Sequence, residues 1–184
     1  MKRKDHQALA HFLMERTGEC PIWEQPWHRR LFLCGCITPD YLPNTYFCGF
    51  GKEHTMRGHH ASYSYKKICR ILERLQKCGV KRRRDCFRLG LLMHYVSDSF
   101  TYPHTDGFTG DMKEHRKYEK TLHGCFGEYL CAAEVPMSSD AGFDGEDLLT
   151  ESRQAYDADS VGMERDCNYI LNACTQLFSA LCRT

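Results

Sequence analysis

His94, Asp98, His104, His115 and Glu119, each able to bind a metal or move a proton, fall within Gly90–Glu119 (GLLMHYVSDSFTYPHTDGFTGDMKEHRKYE). His94/Asp98 and His115/Glu119 are spaced i,i+4, which sets each pair on one face of a helix. Imidazole nitrogens and carboxylate oxygens together are a donor set suited to zinc. Either pair alone would read as an ordinary surface histidine–acid pair. Taken together, with apolar residues filling the first segment, they point to a metal centre, because charge gathered in a core has to be paired or coordinated.

The elements that must hold these groups are helices. At 184 residues, 42% hydrophobic and 27% charged, the chain has the length and composition of one globular domain with a real core. The formal net charge of +1 gives no electrostatic reason to expect nucleic acid or an anionic membrane as partner. No run of apolar residues is long enough for a spanning helix. The basic start MKRKDHQALAHFLMERTG is interrupted by His11 and Glu15 and does not read as a secretory signal, so the expected location is the cytoplasm. The 12 cysteines include a C-x-C pair, Cys34/Cys36, but no C-x2-C pair, so zinc ribbons and thioredoxin-type motifs are unsupported. Cys69, Cys86, Cys125, Cys131, Cys174 and Cys182 sit at helical spacing among apolar residues, where a reduced thiol acts as a small hydrophobe.

Apolar periodicity predicts helices over Asp5–Glu15, Trp23–Cys36, Ala61–Lys77, Arg84–Phe100, Lys113–Leu130 and Val161–Leu181, with a short one near Leu148–Tyr156. Asp5 is a plausible N-cap for the first. The segment Gly35–His60 is rich in Gly, Pro and Asn and is expected to be a long functional loop, with Asp40 in a turn after Pro39. Residues 136–146 form a Gly/Ser/Asp-rich connector. The basic run Lys81-Arg82-Arg83-Arg84 is expected to be a solvated turn. The fold class is therefore all-α, with chemistry on loops and helix faces.

Five motifs carry a specific resemblance: DHQALAHFL at the start, GCITPDYLP, GKEHT, LMHYVSDSFTYPH and HRKYE. With them the chain resembles the zinc-dependent phospholipase C family, which is itself similar to the fungal single-strand zinc nucleases. The resemblance covers residues 5–130 and is loose over the C-terminal helix. It implies an all-helical domain with a cleft holding up to three zinc ions. Asp40, His54, His94 and Asp98 would form one zinc site, with Asp98 bridging to a second metal that His6 also binds. His104, His115 and Glu119 would hold the third. His59 and His60 compete with His54 for the loop ligand, and His28 and His123 are taken as bystanders. Exported members also bind the second metal through the amine and carbonyl of an N-terminal tryptophan. This sequence has Met1 there and no tryptophan before Trp23. The Met1 amine is one substitute; His6 and Asp98 with waters are the other.

The activity so implied is phosphodiester hydrolysis, in which zinc-activated water attacks phosphorus and Asp40 acts as ligand or base. The implied substrate is a phosphodiester or a phospholipid-like small molecule. Tyr41 matches an aromatic beside the headgroup in choline-specific enzymes, since a ring face can hold a quaternary ammonium. Gly51 stands where a second aromatic of that cage is expected, and Tyr41 could equally pack in the core. Phe100, Tyr102 and Phe108 could stack against substrate or belong to the core. Two alternatives stand beside this reading: a zinc hydrolase of the single-strand nuclease kind, and a metal-binding relative without catalysis.

Overall fold

The computed structural model describes residues 1–16, 20–42, 59–133 and 144–182. Among these, the chain is helical and contains no strand. α1 spans Arg3–Arg16, α2 Pro26–Tyr41, α3 Ala61–Cys78, α4 Arg83–Ser99, α5 Met112–Ala132, α6 Gly145–Ala158 and α7 Met163–Cys182. Two single-turn 3-10 segments, Pro21–Glu24 and Tyr102–His104, lead into α2 and follow α4.

Local chemistry accounts for the boundaries. α5 opens with a capping box: the Asp111 carboxylate accepts from the Lys113 and Glu114 amides, and Glu114 reaches back to the Asp111 amide. Asp144 caps α6 through the Glu146 and Asp147 amides. α3 stops at Gly79, whose φ of 68° is open to glycine and whose N–H bonds the Leu75 carbonyl. Asp5, expected as an N-cap, instead lies inside the first turn of α1, where its Oδ2 accepts from the Lys2 amide at 3.1 Å.

α4 is the central helix, packed against α1, α2, α3 and α7. Its Leu89, Leu92, Met93 and Val96 are fully buried in one apolar cluster with Leu72, Phe126, Ile170 and Leu177. Trp23 stacks on Phe178 and tilts against Phe32 at the far end of that cluster. The run Lys81–Arg84 is exposed at the start of α4, as expected. No helix among the described residues is long and apolar enough to cross a membrane.

The main correction to the sequence reading concerns residues 37–41, expected as loop beyond a helix ending at Cys36 and found as the continuation of α2. Gly35 does not break this helix; it meets Gly90 of α4. A Cβ on Gly35 would fall 2.1 Å from the Phe87 carbonyl oxygen, and one on Gly90 would fall 2.2 Å from that of Phe32. The two glycines let α2 and α4 touch backbone to backbone, and that packing carries the helix through Pro39 despite the proline. Asp40 consequently sits on a rigid helix end rather than in a turn.

Candidate metal centre

The α2–α4 contact has a direct consequence for the site. It brings the Cys36 carbonyl to within 2.8 Å of His94 Nδ1, so that nitrogen carries the proton and donates it. His94 Nε2 is left facing inward, toward Asp98 Oδ2 at 3.3 Å and Asp40 Oδ1 at 3.9 Å. One turn further along α4, Ser97 acts on His6 in the same way. The Ser97 hydroxyl donates to the His94 carbonyl, so its oxygen accepts from His6 Nδ1–H at 3.1 Å. The lone pair of His6 Nε2 then points at Asp98 Oδ1, 3.3 Å away, and this nitrogen finds no hydrogen-bond partner among the described residues. The His6 and His94 rings stack with centroids 4.0 Å apart.

Asp98 is the hub of the centre. Its Oδ1 meets the Met1 amine at 2.8 Å, and its Oδ2 meets His59 Nδ1 at 2.9 Å. The Met1 amine also reaches Glu119 Oε1, at 3.1 Å. Glu119 Oε1 receives His104 Nε2 at 3.3 Å and His115 Nε2 at 3.2 Å. His6, His94, Asp98 and the Met1 amine are fully buried, while Glu119 and His115 border the open cleft. The N-terminal segment is held in place from outside the cluster, because Asp5 pairs with His123 of α5.

Burial and charge set the protonation states. Burial first, and the neighbouring His94 second, push the His6 imidazole down to about 3. Burial likewise lowers His104. Burial alone would raise Asp98 and Glu119, but the Met1 ammonium and the surrounding imidazoles outweigh it and hold both below the usual carboxylate range. Asp40 moves the other way, raised by burial and then by the charge of Asp98. The Met1 ammonium is held up to about 11: burial opposes its charge, and Asp98 and Glu119 more than compensate.

The outcome is that two neutral imidazoles, His6 and His104, face the ionised carboxylates of Asp98 and Glu119. His104 shows the mismatch best: acceptors stand at both of its nitrogens, the His59 carbonyl at 3.2 Å and Glu119 at 3.3 Å, yet a neutral ring has one N–H for the two. At His6 the inward nitrogen and the carboxylate facing it are both acceptors. Acceptors crowded together in a desolvated space call for a cation between them. Three groups bring their donor atoms within 4.8 Å of one another: His6, Asp40 and His94; His59, His94 and Asp98; and His104, His115 and Glu119. The residues present therefore fit a divalent metal in the manner of zinc.

Residues 5–184 match the family model for zinc dependent phospholipase C. The chain belongs to this family. The family match extends through the C-terminal helix, where the motif-based resemblance is loose. No curated protein and no solved structure matches the chain. Membership makes the zinc-dependent reading of the donor cluster the natural one for this member of the family.

Of the site residues expected from sequence, His6, Asp40, His94, Asp98, His104, His115 and Glu119 converge in the cluster. His54 and Gly51 lie outside the described residues. His59, ranked behind His54 from the motif, is inside the cluster on Asp98, while His60 stands at its margin, 3.7 Å from Asp106. Nothing in one sequence separates His54, His59 and His60. Three contributors went unread: Ser97, the Cys36 carbonyl and His123, the last expected to be a bystander. Tyr41 is exposed at the cleft and not in the core. Phe108 lines the cleft, whereas Phe100 is core and Tyr102 packs edge-on against Phe108.

Above the cluster opens a cleft of about 1150 Å³. Its floor and walls include Asp40, His59, His104, His115 and Glu119, with Lys2, Arg3, Lys4, Tyr41, Phe108, Met112 and Arg116 around them. Such a volume admits a ligand the size of a phosphodiester with two substantial arms.

Proposed function

We propose that the protein hydrolyses phosphodiesters as a zinc-dependent hydrolase of phospholipase C type, with His6, Asp40, His94, Asp98, His104, His115 and Glu119 as metal ligands. The observation that carries this reading is the convergence of imidazole nitrogens and carboxylate oxygens at the floor of an open cleft. His59 supplies the remaining imidazole beside Asp98. These residues would hold up to three zinc ions.

Bound zinc would supply Lewis acidity toward the phosphoryl oxygens and lower the pKa of water in the cleft. The protein's own residues do the rest. His94 and His6 are fixed in the tautomers that turn Nε2 inward, so no reorganisation is needed as charge develops. Asp40, at the cleft floor, would serve either as a zinc ligand or as the base that takes the proton of the attacking water. The Met1 amine must release its proton, or move, before a metal takes its place between Asp98 and Glu119. Tyr41 lies on the cleft wall beside the substrate.

The test begins with elemental analysis of protein purified without added zinc or chelator, followed by hydrolysis of bis(p-nitrophenyl) phosphate. Zinc bound at two or three ions per chain, with turnover lost on chelation and restored by zinc, is the expected result. Zinc uptake without turnover of this or any phosphodiester would leave a metal-binding relative without catalysis. Absence of zinc, with no uptake on titration, would overturn the reading entirely.

A further inference from the structure

The charge balance of the whole chain conceals a local excess at the cleft. Lys2, Arg3 and Lys4 line it from the start of α1, and Arg116 lines it from α5. Among the described residues lining the cleft, the acidic one apart from Asp40 and Glu119 of the metal cluster is Asp111, and its Oδ1 is engaged in capping α5 with two amide bonds of 2.8 Å. The rim is thus positive, and zinc in the floor would make the interior more so.

Tyr41 gives this rim its direction. Its exposed ring has the face that a quaternary ammonium would seek, but the Arg3 guanidinium lies over that ring, 4.3 Å from its centroid. A cationic headgroup would have to displace one fixed positive charge while approaching three others. An anionic group would meet an exposed guanidinium already placed over the ring and capable of bidentate pairing. Against this polar side, Phe108 and the exposed Met112 offer apolar surface from α5 and the segment before it. A ligand matching both has one anionic arm and one apolar arm.

Resting on the hydrolase reading above, we propose that this cleft selects anionic phospholipids over choline phospholipids, with Arg3 on Tyr41 as the specificity determinant. Arg3 touches the distal headgroup and not the reacting phosphorus, so it governs affinity and the choice between substrates more than the chemical step.

The experiment uses the zinc-loaded protein and three water-soluble dioctanoyl lipids below their micelle concentrations: phosphatidylcholine, phosphatidylglycerol and phosphatidylinositol 4-phosphate. Turnover is read as kcat/KM and binding by calorimetric titration. The expected preference for the phosphatidylinositol 4-phosphate over the choline lipid is about tenfold or more, in line with charge pairing at a partly exposed site. Arg3→Ala should bring that ratio close to one, chiefly through KM, whereas Arg83→Ala, exposed at the start of α4 and outside the cleft, should leave it unchanged. Equal or better use of the choline lipid, or a ratio unmoved by Arg3→Ala in a protein of normal melting temperature, overturns the inference while the hydrolase stands. Cleavage of oligothymidylate with no action on any lipid also overturns it, assigning the basic rim to nucleic acid. If no phosphodiester is cleaved, the hydrolase reading fails; calorimetry then decides recognition separately, supporting it if the anionic lipid binds best and Arg3→Ala removes the preference, and overturning it otherwise.

Discussion

Two carboxylates, Asp98 and Asp166, are almost wholly buried within the same bundle, and their surroundings could hardly differ more. Among the described residues Asp166 is met by donors: its Oδ2 accepts from the Tyr102 amide at 2.8 Å and the Tyr118 hydroxyl at 2.9 Å. Its Oδ1 accepts from the Tyr156 hydroxyl at 2.7 Å and from Arg165. Asp98 meets a cation, the Met1 ammonium, together with the inward nitrogens of His59 and His94 and of His6, whose lone pair is turned toward it. One carboxylate is satisfied by the chain itself; the other is arranged for a cation. A buried acid is therefore informative only together with the protonation of what faces it.

The largest expected effect of testing that contrast falls on the satisfied side. Asp166→Ala removes the acceptor shared by Arg165, Tyr118, Tyr156 and the Tyr102 amide, leaving a buried guanidinium unpaired. Breaking such a buried pair costs about 3–5 kcal/mol, to be read by chemical denaturation of the metal-free protein. Because Tyr102 opens the single turn that carries His104, zinc affinity should fall as well. A stability loss below about 1 kcal/mol, the scale of one ordinary hydrogen bond, would contradict the structural role assigned to Asp166.

On the other side, Asp98→Asn should retain helical content by circular dichroism while losing zinc and activity. Loss of an outer partner of a metal ligand typically costs 10–100-fold, so loss of this shared carboxylate should exceed roughly 100-fold. Full turnover in Asp98→Asn would refute the site assignment.

pH separates the two centres without mutation. His6, held at about 3 when folded, protonates in the unfolded chain below its ordinary 6.5, so metal-free stability falls as pH drops from 6.5 toward 3. The Met1 ammonium, held up to about 11 against an ordinary 8.0, contributes stability that is present below pH 8 and is lost as pH rises toward 11. The tyrosines on Asp166 are raised by burial and by that carboxylate, so they penalise folding only above their ordinary 10.0. Metal-free protein should accordingly be most stable between about pH 6.5 and 8, with a limiting slope near 1.4 kcal/mol per pH unit for each group titrating. A flat profile from pH 4 to 10 would mean that the Asp98 centre is as self-satisfied as Asp166.

These two centres were unequally legible in the sequence. Helix positions followed from apolar periodicity: α3 was expected over 61–77 and runs Ala61–Cys78, and α7 over 161–181 and runs Met163–Cys182. The Asp98 centre could be seen because its candidate ligands cluster in motifs. Asp166 could not, because its partners at 102, 118, 156 and 165 are spread along the chain, and an aspartate in the first turn of a helix reads as an ordinary cap or surface charge. The end of α2 was misread for a related reason. Gly35 and Pro39 signal a break locally, and only the distant Gly90 reveals that the glycine serves close helix packing. The Met1 amine is one of two substitutes that the sequence suggests for a missing ligand; its sharing between Asp98 and Glu119 depends on geometry alone.

The smallest effects come from removing one hydroxyl on each side, and they test the comparison most finely. Ser97→Ala deletes the acceptor of His6 Nδ1–H, and Tyr118→Phe deletes one donor to Asp166; each should cost about 1 kcal/mol of stability. Their effects on zinc should diverge. Without Ser97 the His6 ring is free to turn and to exchange tautomers, so its Nε2 no longer aims reliably at Asp98. Zinc affinity measured against a chromophoric chelator should weaken by about tenfold, the lower end of what an outer partner contributes. Tyr118 has no such line to a ligand, because Asp166 keeps its bond to the Tyr102 amide. Its loss should leave zinc affinity within about twofold, inside the ordinary scatter of distant, independent sites. If both substitutions weakened zinc equally, the two carboxylates would belong to one coupled network, and the division between a self-satisfied centre and a cation-seeking one would have to be abandoned.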